Sequence, residues 1–157
     1  MNYWLVKSEG DCYSIDDLKR DKHVAWEGVR NYQARNFMRD MKVGDLILFY
    51  HSNGTTEFPN GVYGIAKVSS KIHTDESQFS KKKDGNMDHF DPKATRDKPI
   101  WECVDMAFVK KFTEPMTLSH IKLDPQLAGM LVRERGSRLS VMPVSKKHFK
   151  HIADLAA

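Results

Sequence analysis

The most informative stretch of the sequence runs Trp26-Glu27-Gly28-Val29-Arg30-Asn31-Tyr32-Gln33-Ala34-Arg35-Asn36. Asn31 is suited to cap a helix. The apolar residues after it recur at helical spacing, at Ala34, Phe37, Met38 and Met41. The stretch therefore predicts a turn from a strand into a helix that faces a core. Such a junction suits a nucleotide, because free helix N–H groups attract anions, arginine matches phosphate and Trp26 offers a surface for stacking a base. Trp26 is equally well explained as a core aromatic residue.

Two more polar clusters lie at the ends of predicted strands. Tyr50-His51-Ser52-Asn53 closes a strand predicted over Leu46 to His51, and Arg138-Leu139-Ser140 opens one predicted over Leu139 to Val144. Serine and asparagine side chains can read the Watson–Crick edge of an unpaired base. These clusters therefore indicate a polar site at strand ends.

The order of predicted elements indicates the fold class. Strands are also predicted at Tyr3 to Lys7, His23 to Trp26, Val62 to Lys71 and Ile100 to Phe112. Helices are predicted after caps at Ser14, Asn31, Thr117, Asp124 and Ser145. Residues 73–98 are polar and predict a long loop. Because strands and helices do not alternate regularly, the sequence favours an α+β fold, in one domain over residues 1–157.

Composition indicates a globular protein with a mild positive charge. The 157 residues include 25 Lys+Arg and 21 Asp+Glu, a net charge of +4. Basic residues concentrate between Arg133 and His151, which suits phosphate contacts but also an ordinary solvated helix. No apolar run approaches the roughly 20 residues that span a bilayer. We expect no membrane partner and a cytoplasmic location, since no secretory signal is evident and Cys12 and Cys103 form no C-x-x-C pair.

Motifs for catalysis or cofactor binding are missing from the sequence. The phosphate-loop, dinucleotide-binding and serine-nucleophile patterns do not occur. His148 and His151 lie three residues apart on a predicted helix, but no third metal ligand is nearby. Cys103 lies within a predicted strand and is expected to face a core. We therefore predict no catalytic residue, no metal and no cofactor.

The chain resembles the EVE domain family over most of its length. Five segments carry the resemblance in the same order, Tyr3 to Glu9, Tyr13 to Leu18, Trp26 to Asn36, Gly44 to Ser52 and Arg138 to Val144. The resemblance implies a PUA-like fold, a small β-barrel flanked by short helices. EVE domains are similar to YTH domains, which hold a methylated adenine in an aromatic cage. The resemblance to EVE domains therefore implies binding of DNA or RNA that carries a modified base, with cytosine derivatives as the suggested ligands.

The resemblance also implies two groups of site residues. The pocket for the base is expected to include Ser8, Trp26, Val29, Asn31, Ser52 and Ser140. Contacts with phosphates or the nucleic-acid backbone are expected from Lys7, Arg30, Arg35, His51 and Arg138. YTH domains take a second cage aromatic from the segment that matches residues 73–98, where Phe79 and Phe90 are the candidates.

Two other functions stay open. PUA-like folds include the ASCH group, whose amidohydrolases act on acetylated cytidine through Lys and Glu, and Lys7 with Glu9 or Glu27 could imitate that pair. The ASCH motif G-x-K-x-x-E-x-R is absent, so binding without catalysis is the preferred interpretation. A protein-interaction module would instead require an exposed apolar patch.

Overall fold

A six-stranded mixed sheet organises the protein. The computed structural model describes residues 1–80, 89–134 and 138–156. Within these ranges the strands are β1 (Tyr3–Glu9), β2 (His23–Ala25), β3 (Leu46–Ser52), β4 (Gly61–Val68), β5 (His73–Thr74), β6 (Glu102–Cys103), β7 (Asp105–Thr117) and β8 (Val141–Val144). The helices are α1 (Ile15–Asp21), α2 (Tyr32–Asp40), α3 (Leu118–Leu123) and α4 (Lys146–Ala156). Short 3-10 turns cover Glu76–Phe79, Pro125–Leu127 and Leu131–Arg133.

The sheet has the strand order β2-β7-β4-β3-β1-β8 and curls into a half-barrel. Its β1–β3 pair is parallel, with Tyr3 opposite Leu46 and Glu9 opposite Ser52. The other pairs described in this sheet are antiparallel. Because parallel strands end at the same edge, the polar ends of β1 and β3 meet there. The predicted α+β class is confirmed.

Side-chain alternation along β1 separates two hydrophobic clusters. Trp4 and Val6 pack with residues of β3, α1 and α2, whereas Leu5 packs with residues of β3, β7 and α4. Successive side chains of a strand point to opposite faces. Ser8 therefore continues the face of Trp4 and Val6, and Lys7 continues the face of Leu5.

The predicted helix caps are confirmed. The Ser14 hydroxyl accepts a hydrogen bond from the Asp17 N–H, and Asn31 Oδ1 accepts one from the Ala34 N–H. The predicted caps at Thr117, Asp124 and Ser145 also accept hydrogen bonds from backbone N–H groups. These interactions are local, which is why sequence spacing found them.

The structure corrects three element predictions. The strand expected over Ile100 to Phe112 is split at Val104 into β6, which pairs with β5, and β7, which pairs with β2 and β4. The helix expected after Asp124 is replaced by two 3-10 turns, because Gly129 between them has a φ of +92° that ends helical geometry. The loop expected over residues 73–98 contains β5 and a 3-10 turn, while its residues 81–88 lie outside the described ranges.

No helix in the described ranges has both the length and the apolar character that a membrane crossing requires.

Candidate functional site

A hydrogen bond links two serines where β1 and β3 end together. The Ser52 hydroxyl donates a hydrogen bond to the Ser8 carbonyl at 3.3 Å, and the Ser8 hydroxyl donates one to the Tyr13 carbonyl at 2.5 Å. A hydroxyl has one hydrogen to donate and two lone pairs that accept. Since both donors are already engaged, the remaining capacity of Ser8 and Ser52 is to accept hydrogen bonds.

Trp26 is partly exposed and is connected to Ser8 through Tyr13. Its indole ring packs edge-on against Phe49, with 5.6 Å between ring centroids, and against Tyr13 at 5.9 Å. Tyr13 thus connects Trp26 to Ser8, because the Tyr13 carbonyl accepts a hydrogen bond from the Ser8 hydroxyl. Trp26 borders the hydrophobic core and still reaches the surface. Its stacking of a base stays a prediction.

The remaining pocket candidates lie in different surroundings. Val29 is buried in the hydrophobic cluster that Trp26 borders. Asn31 is exposed, and because its Oδ1 caps α2, its NH₂ group is left as a donor. Ser140 lies next to β1, where its carbonyl accepts the Lys7 N–H at 2.8 Å. The structure therefore joins Ser8, Trp26 and Ser52 through direct neighbours, whereas no hydrogen bond in the described part of the chain joins Asn31 to them.

Two of the predicted phosphate-binding cations remain at the surface. Arg138 is exposed and makes no hydrogen bond or ion pair within the residues that the structure describes. The Lys7 ammonium lies 5.8 Å from the centre of the Tyr50 ring, on the face of β1 opposite to Ser8. Partial burial lowers the pKa of Lys7.

Arg30 has a structural role that the sequence did not reveal. Arginine has five N–H donors, and those of Arg30 are directed at the His89 and Val29 carbonyls, the Asp75 carboxylate and the Ser77 hydroxyl. Its charge is paired with Asp75, a fully buried carboxylate. In this arrangement no donor of Arg30 is left for a phosphate, contrary to the sequence-based assignment.

His51 is likewise unavailable to phosphate in this structure. Its ring is buried and stacks on Tyr63 at 3.9 Å between centroids. Its Nε2 accepts a hydrogen bond from the Ile15 N–H at the start of α1. Burial lowers the pKa of His51 to about 4. A neutral, buried imidazole cannot supply the positive charge that we predicted for this position.

The segment after β4 folds over the Trp26–Asn31 stretch. Besides pairing with Arg30, Asp75 accepts a hydrogen bond from the Gly28 N–H at 2.9 Å. Gly28 has a φ of +94°, and a Cβ there would lie 2.5 Å from the His89 ring, so glycine is required. The fully buried Gln78 further anchors the segment by accepting the Trp101 N–H. Asp75 and Trp101 were missed from the sequence, although aspartate before a polar turn is a known capping signal.

Both candidates for a second cage aromatic lie between β5 and β6. The Phe79 ring is covered by the Arg96 guanidinium at 4.7 Å, and Phe90 is partly buried. The aromatic residues that pack against Trp26 include Tyr13 and Phe49.

Other reactive side chains have structural explanations. Cys103 is fully buried as expected, and burial raises the pKa of its thiol, so a nucleophilic thiolate is disfavoured although His73 lies 3.8 Å away. His151 bonds to Asp124 at 2.8 Å. In the described ranges, Glu9, Asp11 and Cys12 bring possible metal-binding atoms within 4.8 Å of one another. They form an exposed turn, and exposed acidic groups are common without a metal.

A cleft of about 600 Å³ opens at the other end of β1. Its lining includes Tyr3, Trp4, Phe37, Val144 and Lys146. Its lining includes none of the predicted site residues.

Comparison with known proteins identifies relatives of the whole chain. The family model described as EVE domain matches residues 2–155. Thymocyte nuclear protein 1 of Mus musculus is 38% identical, over 98% of this chain and 73% of its own length. A protein from Pseudomonas syringae has a crystal structure with a TM-score of 0.89 and 40% identity, covering 99% of both chains. Human THYN1 protein, solved in complex with 5-methylcytosine-containing DNA, has a TM-score of 0.86 and 33% identity, covering 99% of this chain and 98% of that one.

A more distant likeness concerns the fold alone. The Mmi1 YTH domain, solved in complex with RNA, has a TM-score of 0.56 and 11% identity, covering 99% of this chain and 77% of that one. These findings confirm the EVE resemblance and the PUA-like architecture. The chain belongs to the EVE domain family.

Proposed function

We propose that this protein binds DNA or RNA carrying a modified cytosine and holds that base against Trp26. The observation that carries the proposal is its similarity along the whole chain to human THYN1 protein, whose structure contains 5-methylcytosine DNA. The partly exposed Trp26 provides an aromatic surface, and the Ser8 hydroxyl, which Tyr13 connects to Trp26, provides a polar group for one base. An unpaired or flipped base is recognised by this combination of stacking and hydrogen bonds.

The available hydrogen-bonding groups suit cytosine. Ser8, on the face of β1 that packs toward Phe49 and Trp26, is left with acceptor capacity, which matches the exocyclic amino group of cytosine. Asn31 is left with a donor, which matches a ring nitrogen or carbonyl. Thymine and uracil carry a carbonyl where cytosine carries its amino group, so they would present an acceptor to a hydroxyl whose own hydrogen is already donated. Val29 is buried in the hydrophobic cluster that Trp26 borders, so the side of the proposed site nearest the core is apolar.

Substitution of Trp26 tests the proposal. Affinity is measured with oligonucleotides that contain 5-methylcytosine, cytosine or thymine at one central position. Trp26→Ala should remove most of the binding, because stacking on an aromatic contributes about 1–3 kcal/mol per base. Trp26→Phe keeps an aromatic ring and should retain part of the affinity. This variant still tests the proposal if Trp26→Ala does not fold.

Phe37→Leu is the matched control. Phe37 is a partly buried aromatic that packs against Trp4 near the distant cleft. Its substitution should lower stability without changing the affinity for 5-methylcytosine. A folded Trp26→Ala protein that binds as tightly as the unsubstituted protein would disprove the pocket assignment.

One observation favours the amidohydrolase alternative. The lowered pKa of Lys7 would assist a catalytic amine. Its neighbour Glu9, however, accepts hydrogen bonds from Asn53 and Cys12. We therefore expect no release of acetate from acetylated cytidine. Turnover that Lys7→Ala abolishes would instead establish the enzyme.

The cytoplasmic location stays a prediction from the sequence. Cys12 and Cys103 are free thiols. Imaging of the tagged protein in its own cells would test the location.

A further inference from the structure

An exposed aromatic side chain lies at the first turn of α2, close in sequence to the proposed base site. Tyr32 is 57% exposed. Its ring stacks on Trp101 with 4.9 Å between centroids and 30° between planes. Trp101 itself is buried. The tryptophan therefore supports Tyr32 from the protein side, while much of the tyrosine surface faces solvent.

A cation without a carboxylate partner accompanies this stack. The Arg35 guanidinium lies 4.9 Å from the centre of the Tyr32 ring and 5.8 Å from that of Trp101. Arg35 donates hydrogen bonds to the Ile100 carbonyl and to the Asn36 side-chain oxygen, which are both neutral. No carboxylate of the described residues lies within ion-pair distance of it. Its positive charge is therefore held in place without being neutralised.

The neighbouring arginines differ in this respect. Arg30 is paired with Asp75, and Arg39 is paired with Glu102. Among the three, Arg35 is thus the one whose charge is available to an anion.

The support beneath Tyr32 is fixed before any ligand arrives. The Trp101 N–H donates to the buried Gln78 side chain at 2.9 Å, and its indole Nε1 donates to Asp91 at 2.8 Å. A surface that is ordered in advance loses less conformational freedom when it binds. A flat exposed ring on a rigid support, with a free cation beside it, has the chemistry that binds a base and its phosphate.

We propose that Tyr32 and Arg35 form a second nucleotide subsite, which takes a nucleotide neighbouring the base held at Trp26. Tyr32 stacks the base of that nucleotide, and Arg35 contacts its phosphate. The inference rests on the proposed function. Tyr32 follows Trp26 by six positions, so their backbones lie within about 20 Å of each other, a span that a few extended nucleotides can cover. Because every base has a flat face, this subsite increases affinity without selecting a sequence.

Abasic oligonucleotides separate the two subsites. The probes are single-stranded DNAs of about ten nucleotides with one central 5-methylcytosine, a length within the usual range for single-strand binding. In one probe both neighbours of the 5-methylcytosine are intact, and in the other they are abasic. Tyr32→Ala should weaken binding of the intact probe roughly 5- to 150-fold, the equivalent of one lost base stack, and leave binding of the abasic probe unchanged.

Two further variants serve as controls. Tyr32→Phe keeps the ring and should bind both probes like the unsubstituted protein. Leu123→Ala changes an apolar side chain that is 84% exposed and should also have no effect. Because Tyr32 is largely exposed, its variants are expected to fold, which a melting curve verifies.

The results distinguish failure of the subsite from failure of the proposed function. If Trp26→Ala no longer binds either probe while Tyr32→Ala binds the intact probe normally, the second subsite is disproved and the base pocket at Trp26 is supported. Equal weakening of both probes by Tyr32→Ala also disproves the subsite, since it would indicate a change in the pocket itself. If Trp26→Ala binds both probes like the unsubstituted protein, the proposed function and the subsite fail together.

Discussion

Arg30 and Asp75 form a salt bridge with 3.0 Å between Nη1 and Oδ2, in which the carboxylate is fully buried. Burial alone would raise the pKa of Asp75, but hydrogen bonds from Ser77, Gly28 and Arg30 outweigh it and lower the pKa. The pair joins the strand-to-helix stretch to the segment after β4. The position of Trp26 relative to the rest of the site therefore depends on a contact with a distant part of the chain.

We expect Asp75→Ala to destabilise the protein by about 3–5 kcal/mol, because it leaves the Arg30 charge without its partner. The free energy of unfolding is measured by urea denaturation. Glu76→Ala is the matched control, since the Glu76–Arg96 pair is largely exposed, at 66% and 71%. Such a pair contributes less than about 1 kcal/mol. Similar small losses in both variants would show that the Asp75 contact is not important for stability.

Stability should fall in mild acid because of His51. Burial lowers its pKa from 6.5 to about 4. Between these pH values His51 binds a proton in the unfolded state but not in the folded state. The free energy of unfolding is therefore unaffected by His51 above pH 6.5 and declines as the pH falls toward 4. The decline attributable to His51 is roughly 3 kcal/mol.

His51→Gln isolates this effect. The glutamine oxygen can still accept the Ile15 N–H but does not titrate. Urea denaturation between pH 7 and 4 should therefore show a smaller decline in this variant. Asp45 and Asp75 have lowered pKa values and lose their contributions at still lower pH, in both proteins. Parallel pH profiles for the two proteins would contradict the assignment.

Arg138 should contribute to nucleic-acid affinity through a phosphate. It is an exposed cation two residues before Ser140, whose carbonyl bonds to Lys7 at the end of β1. Arg138→Ala should weaken binding and reduce the slope of log affinity against log salt by about 0.7–0.9. Lys147→Ala is the control, because Lys147 is also exposed but lies on α4, which begins near the distant cleft. We expect Lys147→Ala to change the salt slope less than Arg138→Ala does. A larger change with Lys147→Ala would indicate that the nucleic acid binds along α4.

The fold class and several local features could be predicted from residue patterns. The caps at Ser14 and Asn31 use hydrogen bonds to N–H groups three residues away, so the sequence displays both partners together. The core side of α2 follows from periodicity, and Ala34 and Met38 are buried as predicted. The limits of the strand predicted over Ile100 to Phe112 could not be predicted from the sequence, because its break at Val104 depends on which strands pair with each half.

The roles of individual cations were decided by the tertiary structure. Arg30 and Arg35 occupy the same polar stretch and look equivalent in sequence. Arg30 is engaged by Asp75 and His89, which are 45 and 59 positions away, whereas no carboxylate in the described part of the chain pairs with Arg35. His51 looks like a surface cation until burial makes it neutral. Short-range hydrogen bonds and periodicity are properties of neighbouring residues, but charge and availability depend on which distant segment packs against a side chain.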